Sequence, residues 1–166
     1  MDASRVKLFR LRQEPFHRPE APATVTLDPI GYVHNEVTKP MPRGWEEVES
    51  QIELRPEHRD RAFGIEGYSH LIVVFYMDLA AGAPDFPKQV TLQSGNAYGI
   101  LATRSQLRPN HLGVSVVPLT GVERRGKAVV LRVRGLDAID GTPVLDIKPY
   151  LPEYDSVPGA ILPSGS

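Results

Sequence analysis

Apolar residues occur along this chain in short runs rich in Val and Ile, and Gly and Pro separate one run from the next. Short runs of this kind between turn-forming residues are typical of β-strands. The pattern predicts strands near residues 30–34, 48–54, 70–77, 89–92, 98–103, 112–119, 128–135 and 144–147. One or two helical turns are expected within residues 55–63.

Because few helical segments separate the strands, the pattern indicates a mostly β fold, an antiparallel sandwich or barrel rather than βαβ units. Residues 1–27 mix basic residues with prolines and predict an N-terminal arm. We expect the folded domain to cover residues 28–157 and a C-terminal tail to occupy residues 158–166. The chain has 166 residues, of which 41% are hydrophobic, and this size fits one domain with a core of its own.

The formal net charge of −1 gives no overall positive field, so a nucleic-acid partner would have to bind a local basic patch. The absence of cysteine excludes disulfides, thiolate zinc sites and cysteine nucleophiles, and it fits a reducing compartment. No apolar run approaches the length that spans a membrane, and no apolar segment follows the basic N-terminal residues. We therefore expect a soluble, unexported protein of the cytoplasm.

The common catalytic motifs are missing from the sequence, which has no GxSxG elbow, no phosphate-binding P-loop and no HExxH zinc motif. The five histidines are scattered at spacings that suit no metal site, so we expect no metal. A hydrolase or nucleoside triphosphatase has no motif in its favour.

Polar side chains are concentrated instead in residues 103–113 and 140–150. Arg104 and Arg108 stand four positions apart, and each guanidinium offers a planar fork that suits a carboxylate or a phosphate. Salt bridges between strands or subunits are the alternative role for both arginines. The Asp-Gly-Thr-Pro run at residues 140–143 predicts a turn by its own chemistry.

Four separated segments carry a family resemblance: IGYVH at residues 30–34, GIEGYSHL at 64–71, ATRS at 102–105 with RPN at 108–110, and DGTPVLDIKPY at 140–150. Together they resemble the TsaA, or TrmO, family over about residues 28–157. The resemblance implies a single small antiparallel β-barrel with few short helices. It also implies a homodimer with S-adenosylmethionine near the subunit interface, and a tRNA substrate methylated on the N6 amine of threonylcarbamoyl-adenosine beside the anticodon.

The same resemblance implies the site residues. The cofactor-binding residues carried over from the family are Pro42, Arg43, His70, Leu71, Arg104, Val114, Asp140, Gly141, Thr142 and Pro143. The candidates for substrate or RNA binding are Arg108, Asn110, Lys148 and Tyr150. As a hypothesis, Asp140 is the catalytic base that removes the proton of the carbamoylated amine. The plain alternatives are a structural histidine at position 70 and an ion pair between Asp146 and Lys148.

The chain departs from the family pattern at three positions. Gln106 and His111 replace two prolines of the arginine signature, which frees backbone that proline would preset. Gly44 follows Pro42 and Arg43 where the family usually has glutamine. The two proline replacements concern loop shape and substrate choice more than cofactor binding. At Gly44 the glutamine contact of the family is missing or supplied elsewhere.

Local basic residues would have to contact RNA, and Arg132 and Arg134 share a strand face. The further candidates are Arg124, Arg125 and Lys127, and in the arm Arg5, Lys7, Arg10 and Arg12. A face that is merely solvated is the alternative. Two other functions stay open: a non-catalytic β-barrel module that binds RNA or a nucleotide, and a methyltransferase of this family with a different acceptor.

Overall fold

A computed structural model describes residues 20–82, 87–92 and 94–163. Most of the expected N-terminal arm, residues 1–19, and the last three residues of the expected tail lie outside the described residues. The strands are β1 (Gly31–His34), β2 (Glu49–Leu54), β3 (His70–Tyr76), β4 (Gln89–Thr91), β5 (Ala97–Gly99), β6 (Leu112–Arg125), β7 (Ala128–Arg134) and β8 (Pro143–Pro149).

Six of these strands form a closed antiparallel barrel in the order β1-β2-β7-β6-β3-β8, and β4 and β5 pair as a separate two-stranded sheet. The prediction of a mostly β, antiparallel barrel is therefore confirmed. β6 can pair with both β3 and β7 because it is long and shifts register between Leu119 and Gly121. Closure joins β1 to β8 through the pairs Gly31 with Val144 and Tyr32 with Pro143.

Alternation along the strands fills the barrel, because successive side chains of a strand point to opposite faces. Leu71, Val73 and Phe75 of β3 are buried, and Ile72, Val74 and Tyr76 between them are only partly buried. Eight further barrel-strand residues complete the core: Val33, Ile52, Leu54, Val117, Val129, Leu131, Val133 and Val144. Leu119 is partly buried and packs against them.

Helical structure in the described residues is short. The turns expected within residues 55–63 are confirmed as a 3-10 helix, Pro56–Ala62. The other 3-10 turns are Trp45–Glu47, Ile65–Gly67, Asp78–Ala80, Ile100–Ala102 and Pro109–His111, and one α-helical turn, α1, covers Pro152–Asp155. Among the described residues, none of these helices is long and apolar enough to cross a membrane.

One predicted strand is wrong over half its length. The strand expected at residues 98–103 ends at Gly99, and a 3-10 turn follows it. Both the main-chain N–H and the hydroxyl of Thr103 donate to the carbonyl oxygen of Ile100, at 3.2 and 2.8 Å. Thr103 therefore closes a turn where the apolar pattern alone had indicated an extended chain.

Candidate functional site

A cavity of about 550 Å³ opens at the end of the barrel where β3 ends and β8 begins. Apolar side chains form much of its wall, including Phe75, Met77 and Trp45. The charged and polar lining residues include Arg104, Asp78, Asp137 and Thr142. A concave site of this size, mostly apolar with a few polar groups, suits a small organic ligand.

Three of the expected cofactor-binding residues meet at this cavity, and a fourth, Val114, contacts one of them. Pro42, Arg104 and Thr142 line it. The Arg104 guanidinium also donates a 2.6 Å hydrogen bond to the main-chain carbonyl oxygen of Val114 in β6. The structure thus brings together residues from three distant parts of the sequence, near positions 42, 104–114 and 142.

The loop that carries Arg104 is held by its own side chains. Arg108 donates to the carbonyl oxygen of Thr103 at 3.0 Å, and the Ser105 hydroxyl accepts the Leu107 N–H at 3.2 Å. Arg108 therefore stabilises the loop through this hydrogen bond. Asn110 and His111 both adopt positive φ, 62° and 50°, a left-handed conformation that non-glycine residues seldom take.

The two residues that replace motif prolines in this loop contact each other. Nδ1 of His111 lies 3.2 Å from the main-chain carbonyl oxygen of Gln106. Because a carbonyl oxygen only accepts, this hydrogen bond requires the proton on Nδ1. The His111 ring is buried and meets the Tyr76 ring edge-on, with centroids 6.1 Å apart. A hydrogen bond and a ring contact therefore constrain the loop at positions where the family pattern has proline.

The Asp-Gly-Thr-Pro turn is tied to the end of β1. Gly141 has φ of 83°, which glycine adopts without strain, and its N–H donates to the Val33 carbonyl oxygen at 2.8 Å. The Thr142 carbonyl oxygen accepts the Val33 N–H at 3.0 Å, and the Asp140 N–H donates to Val37. The Thr142 N–H donates to the Ile139 carbonyl oxygen at 3.2 Å, so Thr142 offers a ligand chiefly its side chain.

Asp140 stands beside the cavity and not in its wall. Its carboxylate accepts the Asn35 N–H at 3.2 Å and lies 3.7 Å from Nδ1 of His34. The side chain remains 44% exposed, so it is open to solvent while it holds β1 to the turn.

Two residues that the sequence did not single out complete this region. The Asn35 side-chain amide donates to the Ser50 hydroxyl at 3.0 Å and to the Ala138 carbonyl oxygen at 2.9 Å, and its own oxygen accepts the Val37 N–H. Asp137 lies at the rim of the cavity, where partial burial raises the pKa of its carboxyl and the nearby Arg104 charge partly opposes that rise. The only features of the sequence that could have indicated them are their positions. Asn35 directly follows the IGYVH segment, and Asp137 lies three residues before the turn at residues 140–143.

The other expected site residues lie elsewhere. Asn110 and Pro143 line a neighbouring groove of about 790 Å³ together with Tyr76 and Leu112. Arg43 is exposed and does not line the cavity.

His70 and Leu71 begin β3, at the end of the strand opposite to the cavity. Seven residues of extended chain span roughly 20 Å, which separates them from it within one chain. The His70 ring meets the Tyr150 ring edge-on at 6.3 Å, and the Leu71 side chain is fully buried in the core.

Lys148 is at that far end as well and forms an ion pair with Asp146, which raises the pKa of the lysine. The ion pair that the sequence left open as an alternative is therefore present, and substrate or RNA binding by Lys148 stays a prediction.

Several candidate RNA-binding arginines have carboxylate partners. Arg124 pairs with Glu66 at 3.1 Å, and Glu123 accepts from both Arg125 and Arg132. Hydrogen bonds from its own main chain and from Arg124 lower the pKa of Glu66. Arg132 and Arg134 do share the exposed face of β7, yet much of the positive charge on this side is already compensated.

Within the part of the chain that the structure describes, no group of three or more His, Cys, Asp or Glu side chains is arranged to hold a metal ion.

Comparison with known proteins gives the family. Residues 32–156 match the family described as the tRNA-methyltransferase O N-terminal domain. The chain belongs to this TrmO N-terminal domain family. The match includes the cavity, the Asp-Gly-Thr-Pro turn and the far end of β3, so all the expected site residues fall within it.

Relatives and solved structures agree with that assignment. A probable S-adenosyl-L-methionine-binding protein of Pyrococcus abyssi is 35% identical over 81% of this chain and 72% of its own length. A tRNA (adenine(37)-N6)-methyltransferase of Escherichia coli is 41% identical over 61% of this chain. A crystal structure of TrmO from Pseudomonas aeruginosa superposes with a TM-score of 0.67 and 31% identity over 86% of this chain.

This TrmO-family chain is shorter than several of those proteins. It covers 44% of the Escherichia coli relative and 62% of the Pseudomonas aeruginosa chain.

Proposed function

We propose that this protein transfers a methyl group from S-adenosylmethionine to the N6 amine of adenine 37 in tRNA. The observation that carries the proposal is the convergence of Pro42, Arg104 and Thr142 on one cavity, with Val114 held against Arg104. The names of the relatives support the same cofactor and the same acceptor.

The residues of the cavity fit this cofactor by their chemistry. S-adenosylmethionine carries an α-carboxylate, an α-ammonium, a sulfonium and an adenosine. Arg104 provides a fork for the carboxylate, and Trp45 offers an aromatic face of the kind that attracts cations and stacks on bases. The Thr142 hydroxyl provides a polar contact in the otherwise buried part of the wall.

The bound cofactor would supply an activated methyl group, and the protein would hold the acceptor nitrogen in position to attack it. Methyl transfer from a sulfonium needs the attacking nitrogen, the methyl carbon and the sulfur in line, so correct placement gives most of the acceleration. We propose threonylcarbamoyl-adenosine as the acceptor, because the carbamoyl group makes the N6 proton more acidic. Asp140, exposed beside the cavity, would be the base that removes that proton.

We also propose that the active form is a homodimer. The outer face of β6 carries Leu112, Val114 and Val116, and Val114 and Val116 are 44% and 53% exposed. In register beside them lie Tyr76, Val74 and Ile72 of β3. A solvent-facing strand surface is normally polar, so an apolar surface of this extent favours a partner.

A second copy would also explain the separation of the expected cofactor residues. His70 and Leu71 lie roughly 20 Å from the cavity within one chain, at the far end of β3. A two-fold axis at the apolar face would pair the β3 strands of two copies in opposite directions and bring the far end of one towards the cavity of the other. Val116→Lys should convert the dimer to monomers in sedimentation velocity, and a dimer that survives the change would contradict this interface.

The observed ion pairs bear on how RNA would bind. Arg124, Arg125 and Arg132 have carboxylate partners, which compensate part of the positive charge of the described barrel. The cavity lined by Arg104 and Thr142 supports an enzyme with a small-molecule site over a non-catalytic RNA-binding module. If tRNA is the substrate, the cytoplasm is the place of action that we propose.

The first experiment is calorimetric titration of the protein with S-adenosylhomocysteine, beside an Arg104→Ala variant. Saturable binding to the wild type and its loss in the variant would support the cofactor site. Absence of binding to folded wild type would contradict it.

The acceptor is tested separately by incubating the enzyme and S-adenosylmethionine with two tRNA samples, one carrying the threonylcarbamoyl group at adenine 37 and one without it. Mass spectrometry of the nucleosides should show N6 methylation in the first sample alone. Methylation of the unmodified tRNA would leave the cofactor site standing and overturn the proposed acceptor.

A further inference from the structure

Asp137 occupies an unusual backbone position at the rim of the cavity. The Ala138 N–H donates to the Leu136 carbonyl oxygen at 2.8 Å, which makes Asp137 the central residue of a three-residue turn. Leu136 and Ala138 on either side are buried, at 0% and 4% exposure. With both neighbours anchored in the core, the turn can only present Asp137 outward.

The turn is also fixed from outside the segment. The Asn35 side-chain amide donates to the Ala138 carbonyl oxygen at 2.9 Å and to the Ser50 hydroxyl at 3.0 Å. Ser50 is itself buried, so Asn35 links the turn to the core side of β2. The carboxylate is therefore presented on a supported part of the backbone.

The Asp137 carboxylate is not used by the fold. Across residues 20–82, 87–92 and 94–163 it accepts no hydrogen bond and forms no ion pair within 4.0 Å. The charge that acts on it is that of Arg104 in the same cavity. Arg104 in turn donates to Val114 and not to Asp137. One cavity thus contains a guanidinium and a carboxylate that act on each other without a salt bridge.

Opposite charges held apart in one cavity match a ligand with opposite charges of its own. An α-amino acid group carries an ammonium and a carboxylate on one carbon atom. The Asp137 side chain is exposed at the rim of the cavity, so a cationic ligand group that enters the cavity can reach its carboxylate.

We propose that Asp137 binds the α-ammonium group of the cofactor's methionine part while Arg104 binds its α-carboxylate. This inference rests on the proposed function and names a specificity residue of that same cavity. The pair would select ligands with a complete amino-acid group over adenosine thioethers that lack it. The raised pKa of Asp137 is consistent with a carboxylate placed where a cation is expected.

The experiment compares two ligands on two proteins by calorimetry. The ligands are S-adenosylhomocysteine and its analogue without the α-amino group, and the proteins are the wild type and Asp137→Asn. A charge-assisted hydrogen bond predicts that Asp137→Asn weakens S-adenosylhomocysteine binding about tenfold. Affinity for the analogue should be the same in both proteins, because the group that Asp137 recognises is absent.

The matched control is Asp28→Asn, which removes an exposed carboxylate outside the cavity and should leave both affinities unchanged. Circular dichroism and thermal melting establish that each variant is folded. Asparagine keeps the size of the Asp137 side chain, so the three-residue turn should persist.

Two results would overturn the inference alone: wild-type affinity for S-adenosylhomocysteine in Asp137→Asn, or an equal loss of affinity for both ligands. An equal loss would mean that Asp137 acts on the shape of the cavity or on the adenosine part. If folded wild-type protein binds neither ligand, the proposed function fails and the inference fails with it.

Discussion

The Asn35 side-chain amide donates a 2.9 Å hydrogen bond to the main-chain carbonyl oxygen of Ala138, although the two residues are 103 positions apart in the sequence. The same amide donates to Ser50, and the main-chain N–H of Asn35 donates to Asp140. One residue after β1 therefore contacts both turns, the Asp137 turn through its side chain and the Asp-Gly-Thr-Pro turn through its main-chain N–H. The site depends on a residue that contributes nothing to the wall of the cavity.

Asn35→Ala should lower the free energy of unfolding by about 2 kcal/mol, because buried polar groups lose their partners. The Ser50 hydroxyl is 2% exposed and would be left without its donor from Asn35. Urea unfolding measures the change, and calorimetry should show weaker binding of S-adenosylhomocysteine as well. A stability equal to that of the wild type would mean that water replaces these hydrogen bonds without cost.

Gly31→Ala should destabilise the barrel by about 1–3 kcal/mol, the usual cost of overpacking. A Cβ atom at position 31 would lie 2.4 Å from the main-chain oxygen of Glu53, and backbone cannot move aside as a side chain can. Gly67→Ala is the matched control, because nothing lies within 4 Å of a Cβ atom there. The midpoints of urea unfolding should fall for Gly31→Ala alone, and equal midpoints for the two variants would refute the close approach.

Asp140→Asn separates the two roles of this residue. Asparagine keeps an oxygen that can accept the Asn35 N–H, so the fold and the affinity for S-adenosylhomocysteine should be retained. If Asp140 is the base, the turnover number should fall by about 100-fold, within the range for general base catalysis. Single-turnover methylation assays measure it. Full turnover in this variant would assign Asp140 a structural role only.

The raised pKa of Asp137 predicts how stability depends on pH. A carboxyl whose pKa is higher in the folded state contributes stability below its unfolded pKa, and that contribution is lost as the pH rises through the folded pKa. Asp137→Asn does not titrate, so its stability relative to the wild type should increase between acid and neutral pH. The difference should stay below about 1 kcal/mol, because the side chain lies at an open rim that solvent screens.

Thermal melts of both proteins across that pH range measure the effect. The charged groups to consider beside Asp137 are Arg104, which opposes the shift, and Asp78, which lines the same cavity. A stability difference that does not vary with pH would show that Asp137 has the same pKa in the folded and unfolded states.

The sequence predicts the strands that follow from alternating apolar residues and the turns that follow from Gly, Pro and Asp. Buried residues alternate along β3 as the apolar pattern predicts, and the turn at residues 140–143 forms around Gly141. The length of β6 was underestimated, because its second half pairs with β7 and carries arginine and glutamate on an exposed edge. The polar side chains in the second half of β6 are equally typical of a loop, so the sequence alone does not predict a strand there.

The site was predictable only where a motif marks it. Arg104 and Thr142 belong to recognisable segments and line the cavity. Asn35 gains its role from hydrogen bonds across the barrel, and Asp137 gains its role from sharing a cavity with Arg104. Nothing in the neighbouring residues of either one indicates these relationships. Likewise, the separation of His70 from the cavity follows from the direction of β3 within the barrel, which no local pattern specifies.

The barrel is closed by its shortest strand pairing, which has two paired positions between β1 and β8. The residues that meet there, Gly31 with Val144 and Tyr32 with Pro143, are more than a hundred positions apart in the chain. The Asp-Gly-Thr-Pro turn adjoins these pairs, and its hydrogen bonds to Val33 form only when the two ends of the domain have met. A ligand that binds at that turn would therefore bind only the closed barrel, and its binding free energy would add to the stability of the folded chain.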